Sequence, residues 1–128
     1  MSNRRVLIRG GGDLASGVAV RLHRAGFEVL VTELPDPLVV RRTVSFAEAV
    51  FNQSVQVEEI TGRLAEPYSR VSGILDQGEV VVMVDPDLAH LVEFSPLVLV
   101  DARMRKRPPE TGLDAAPLVI GLGPGFTA

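Results

Sequence analysis

Residues 6–17 read VLIRGGGDLASG, and this stretch decides the fold. Three aliphatic residues lead into Arg9 and then into Gly10, Gly11 and Gly12. An amphipathic helical pattern opens at once behind them. Leu14, Val18, Leu22 and Ala25 recur at helical spacing, and Gly26 follows in the position where glycine ends helices. The chain therefore runs from a strand through a tight glycine turn into a helix. EVLVTE, residues 28–33, alternates into a second strand that the prolines of LPDP terminate. The right-handed crossover preference makes residues 5–33 a β-α-β unit.

The same grammar continues downstream. Ser45 followed by Glu48 is a capping-box pattern and predicts a short helix over 46–51. SVQVEEI, residues 54–60, reads as one half-exposed strand. EPYSRVSGILDQG places Val71, Ile74 and Leu75 on one helical face, with Gly78 as the stop. EVVVMVD, PLVLVD and PLVIGL are continuous apolar runs, as expected of strands covered on both faces. Strands alternating with helices predict an α/β, Rossmann-like three-layer domain with a mostly parallel sheet, one domain spanning 1–128.

Composition narrows the function. Apolar residues are 46% and charged residues 23%, a globular balance, and no apolar run approaches the length of a membrane span. The basic start lacks a signal-peptide core, and there is no cysteine, so disulfides and thiolate metal sites are ruled out. A cytoplasmic location is expected. The net charge of −3, with arginines dispersed apart from RMRKR at 103–107, argues against nucleic-acid binding. Lys106 is the single lysine, which leaves little room for Schiff-base chemistry.

The glycine turn matches the dinucleotide fingerprint. Gly10, Gly12 and Ala15 fill the three small-residue slots, and Glu33 lies 21 residues past Gly12 at the end of the second strand. The first glycine makes the turn, and the second lets the backbone approach a pyrophosphate with no Cβ in the way. Free N–H groups at the helix mouth then attract the anion. Glu33 would accept from a ribose diol and repel a 2′-phosphate, favouring NAD over NADP. The alternative is a tight β-α turn without a ligand. Arg9 would reach past its strand tip towards a phosphate or a carboxylate. Asp13 is placed to cap the helix, and Ser16 either donates to a phosphate or bonds back within the helix.

Asp85 and Asp101 each close an apolar strand, and ligands of open α/β sheets sit at that carboxyl rim. They would hold a sugar, an amine or a hard cation such as Mg²⁺; equally, Asp85 starts a turn before Pro86 and Asp101 pairs with a nearby arginine. No protein metal site is predicted. GLGPGFTA, 121–128, offers Gly121 and Gly123 as a second phosphate-approach loop. His23, His90 and Tyr68 show no partner pattern for catalysis or metal binding. The chain stops where another helix is expected, so either it is the N-terminal part of a longer architecture or its tail is a simple cap. A bare sheet edge there would invite a homo-oligomer.

Residues 6–51, with RRTVSFAEAV at 41–50, and residues 100–128, with DARMRK at 101–106, resemble the selenium-dependent molybdenum hydroxylase accessory family of the YqeB type. These are Rossmann-like relatives of the xanthine dehydrogenase accessory proteins. The resemblance spans essentially the whole chain. It implies a cofactor-binding domain that assists maturation of a molybdenum hydroxylase, its partner. The ligand would be NAD, another small nucleotide or a molybdopterin dinucleotide, all of which carry a pyrophosphate or related phosphate. Arg41, Arg42 and the 103–107 cluster would meet extra phosphate. Two alternatives stand beside it: an NAD-dependent oxidoreductase module lacking its catalytic half, and a non-enzymatic partner-binding domain. The sequence names no catalytic residue.

Overall fold

A computed structural model describes residues 3–10, 12–35, 44–102 and 116–121. Strand β1 (Arg5–Arg9) leads into helix α1 (Asp13–Arg24) and strand β2 (Glu28–Glu33). Gly10 has φ +104° and Gly26 φ +97°, backbone that an L side chain rarely adopts, so these two glycines fix the turns at both ends of α1. A 3₁₀ turn (Phe46–Glu48) continues into α2 (Ala49–Asn52). The Glu48 arm of the expected capping box is formed, its carboxylate accepting the Ser45 N–H at 2.9 Å. The Ser45 hydroxyl lies against the turn but reaches no hydrogen-bond geometry.

Strands β3 (Ser54–Val57) and β4 (Ile60–Leu64) correct the single strand expected over 54–60. They form an antiparallel hairpin with Val57 opposite Ile60. The two-residue turn holds Glu58 at φ 48° and Glu59 at φ 73°. Positive φ at both central residues is what a tight hairpin needs, and Asn-Gly usually supplies it. A second 3₁₀ turn (Tyr68–Arg70) precedes α3 (Val71–Asp76); then come β5 (Val80–Val84), α4 (Leu91–Phe94), β6 (Val98–Asp101) and β7 (Leu118–Gly121).

The sheet order is β3-β4-β5-β2-β1-β6-β7, and every pairing is parallel except β3 with β4. The fold is α/β with helices on both faces of the sheet, a Rossmann-like three-layer arrangement. On one face Val6, Ile8, Val29, Val31, Val80 and Val82 pack against Ala15, Ala19 and Val20 of α1 and against Phe46. On the other, Leu7, Leu30, Val81 and Leu99 meet Val71, Ile74 and Leu75 of α3 and Phe94 of α4. The apolar runs are buried on both faces because the period-2 alternation serves two helical layers at once.

β7 departs from the expectation of double coverage. It is an edge strand, and Leu118 and Ile120 are 51% and 39% exposed. They share the α1 side of the sheet through their register with Val98 and Val100, and α1 packs over the central strands instead. Among the described residues no helix is long and apolar enough to cross a membrane.

Candidate functional site: the switch point of the sheet

Successive strands run outward from β1 in both directions, through β2 and β5 on one side and β6 and β7 on the other. The order therefore reverses between β1 and β6, and the crevice at their carboxyl ends is where such sheets take ligands. One register row crosses this rim: Met83 of β5, Thr32 of β2, Arg9 of β1, Asp101 of β6 and Gly121 of β7. Parity places this row on the α3–α4 face, two residues beyond Leu30, Leu7 and Leu99. Arg9, Asp101 and Gly121 thus come together at the switch point, as their strand-end positions predict.

The helix mouth opens at the same place. The Gly10 N–H donates to the Thr32 carbonyl at 2.8 Å, closing the turn, and Gly12 is the residue that caps α1. Asp13 corrects an expectation: it is the first helical residue, exposed, and no side chain caps the helix. Its carboxylate still favours the helix through the dipole at that end. The first intrahelical bond runs from the Ser16 N–H to the Gly12 carbonyl at 2.8 Å, so the amides ahead of it have no helical partner. Gly12 has φ −76°, ordinary extended backbone, and a Cβ built on it meets nothing within 4 Å. Neither backbone strain nor packing requires glycine there. Gly11 and Gly123 lie outside the described residues, as do Arg41, Arg42 and the 103–107 cluster.

Ser16 has a structural partner in a later segment of the chain. It is buried, and its hydroxyl accepts the Phe46 N–H at 2.9 Å, tying α1 to the start of the next helical segment. Arg9 is 7% exposed and donates to the Pro86 carbonyl, so it bends across β2 to hold the loop after β5. Asp85 organises that loop. Its two oxygens accept the Ala89 and His90 N–H groups at 2.8 and 3.1 Å, and its own N–H donates to the Glu33 carbonyl at 3.1 Å. The turn-starting role is thus filled in full. Glu33 Oε1 accepts the Leu34 N–H at 2.9 Å at the end of β2. Asp101 is fully buried beside Arg9 in register. Thr32 Oγ1 is buried with no hydrogen-bond partner. No cluster of three or more metal-ligating side chains forms among the described residues.

A second recess lies two strands away, where β4 and β5 end. It is an open cleft of about 550 Å³. Tyr68 and His90 stack along it with ring centroids 4.6 Å apart and planes 11° from parallel. His90 Nδ1 donates to Glu93 Oε1 at 2.7 Å, which turns Nε2 outward. Burial pushes the Tyr68 phenol up, with Arg5 opposing and Glu93 assisting. His90 and Tyr68 thus have an ion-pair and a stacking partner, an arrangement that is neither a triad nor a metal site. The i, i+3 spacing of His90 and Glu93 was the available signal; the stacking joins residues 22 positions apart and had none.

Over 123 residues, 96% of this chain, the sequence is 49% identical to "Uncharacterized protein YqeB" of Escherichia coli (strain K12). The likeness covers nearly the whole fold. The chain spans 23% of the length of that relative. No family model and no solved structure matches the chain.

Proposed function

We propose that the chain is a nucleotide- or cofactor-binding domain that receives a pyrophosphate-containing ligand at Gly10–Ser16 and assists maturation of a molybdenum hydroxylase. Gly12 carries the first half of this reading. It is a glycine that the protein's own conformation does not need, at an uncapped helix mouth, on the rim where the strand order reverses. A ligand backed onto the main chain is the physical reason for omitting a Cβ there. The diphosphate would take the orphan amides of Gly12, Asp13 and Leu14, and the Glu33 carboxylate at the end of β2 would accept from a ribose diol. NAD and a molybdopterin dinucleotide both satisfy this chemistry. The second half rests on the family-like stretches at 41–50 and 101–106.

Calorimetric titration of the folded chain with NAD, NADP, CTP, a molybdopterin dinucleotide and inorganic pyrophosphate tests the ligand. Binding of a diphosphate, lost in Gly12→Ala, is expected. Silence from every probe overturns the reading. The exposed Leu118 and Ile120 on β7 favour a second reading, a domain that presents a surface to a partner hydroxylase. Co-purification with that hydroxylase, undiminished by Gly12→Ala and abolished by Leu118→Asp, would support it.

A further inference from the structure

The Tyr68–His90 cleft differs in chemistry from the helix mouth. Pro67, Met83 and Val84 give it apolar lining, and the stacked Tyr68 and His90 rings line it beside them. Glu66 and Glu93 line it, and among the described residues no lysine or arginine does. The two carboxylates disfavour a phosphate there, with the Arg5 guanidinium acting against them at Tyr68. A flat ring would extend the stack on an outer face of this pair, because every heteroaromatic has a π-face to stack. Carboxylates ask for N–H donors, and the volume is that of a small-ligand pocket. Glu93 is engaged with His90, while Glu66 has both oxygens uncommitted on the exposed lip.

We propose that this cleft binds a planar heterocycle with two adjacent N–H donors on one edge, of the guanine type. Its face stacks on the Tyr68–His90 pair and its donor edge meets the Glu66 carboxylate. The inference does not depend on diphosphate binding at Gly12. The sequence makes the test clean, since Tyr68 is the single tyrosine and the chain has no tryptophan. Its ring-proton NMR signals therefore report on this cleft alone, and a stacked base shifts them by its ring current.

The experiment titrates the 128-residue chain with guanosine, which carries no phosphate, and with uridine. Guanosine is expected to move the Tyr68 and His90 ring signals saturably and more tightly than uridine. Glu66→Gln, an exposed change that leaves the fold alone, should weaken guanosine about fivefold. Tyr68→Leu, followed through the His90 signal, should weaken it at least about fivefold. Gly12→Ala should leave guanosine binding unchanged. Absence of a saturable shift, equal response to uridine, or indifference to Glu66→Gln each overturns the proposal. Pyrophosphate bound at Gly12 with still Tyr68 signals sinks this inference alone; a guanosine response with no pyrophosphate binding sinks the diphosphate reading alone.

Discussion

Replacing Gly12 with alanine separates stability from binding. The backbone there has φ −76° and ψ −167°, which alanine adopts freely, and its Cβ meets no atom within 4 Å. Two small terms oppose each other. Alanine is a poorer helix cap than glycine, costing about 0.5–1 kcal/mol, and it restricts the unfolded chain, which contributes about 0.4–1 kcal/mol in the other direction. The net change should fall within about 0.5 kcal/mol, a shift in Tm of only a few degrees. Binding should respond quite differently. A methyl group at the helix mouth stands where a phosphate oxygen must approach the amides. Displacing it weakens charge-assisted hydrogen bonds, each of about 1.5–3 kcal/mol, so pyrophosphate affinity should fall at least about tenfold. Urea unfolding measures the first quantity and calorimetry with inorganic pyrophosphate the second. An alanine variant that binds pyrophosphate as tightly as the parent would refute the reasoning, because the missing Cβ would then have no purpose at the mouth.

Gly62→Ala should behave in the opposite way. A Cβ there falls 2.9 Å from Cε1 of the fully buried Phe46 and closer still to Cδ1, so overpacking should lower stability by about 1–2 kcal/mol in urea unfolding, with Phe46→Leu restoring part of it in the double variant. Thr32→Val removes a buried hydroxyl that has no partner and keeps the shape, so it should stabilise by about 1 kcal/mol; a loss of that size instead would show that the hydroxyl is satisfied in solution. The Arg63 guanidinium, bonded to Glu79 at 2.7 and 3.0 Å, holds that carboxyl below its ordinary value of 4.5, with burial opposing. A depressed folded value contributes stability above the ordinary one and loses it as pH falls through the folded one. Urea midpoints of the parent and Glu79→Gln should therefore differ at neutral pH and converge in acid; curves that stay parallel down to pH 2 (roughly two units below the ordinary value) would contradict the pairing.

Local signals in the sequence translated faithfully where the physics was local. Gly10 and Gly26 take positive φ because the turns on either side of α1 demand it, and a glycine after strand-like residues is the usual sign of such a turn. Glu28–Glu33 and the Ser45–Glu48 pattern were legible for the same reason. The Glu58–Glu59 turn was not. Two glutamates have no preference for left-handed backbone, so the residues themselves announce a continuing strand. What holds the turn is distant: β4 pairs in parallel with β5, and Leu64 donates to the Gln53 carbonyl. Tertiary pairing overrides the local preference at that point. Exposure of β7 was hidden likewise, since an apolar run does not say which strand will lie at the edge.

At the site, strand-end positions could be read from the sequence and side-chain destinations could not. Arg9 reaches a carbonyl 77 residues away and Ser16 an amide 30 residues away, contacts that exist only once the sheet order is set. That order also sets the two recesses apart along the rim. The uncapped amides stand at the end of β1, while Glu66 and Glu93 line the cleft at the ends of β4 and β5. Two strand spacings, about 10 Å, separate β1 from β5. Arg9 bonds the Pro86 carbonyl, and Asp85 bonds the Ala89 and His90 N–H groups within the same loop, which carries His90 to the cleft. On the two proposals, the bare amides would take a diphosphate at one end of this rim and the cleft a flat uncharged ring at the other. A ligand with a phosphate end and a flat ring would then lie along the rim in one orientation, set by the order of β1, β2 and β5.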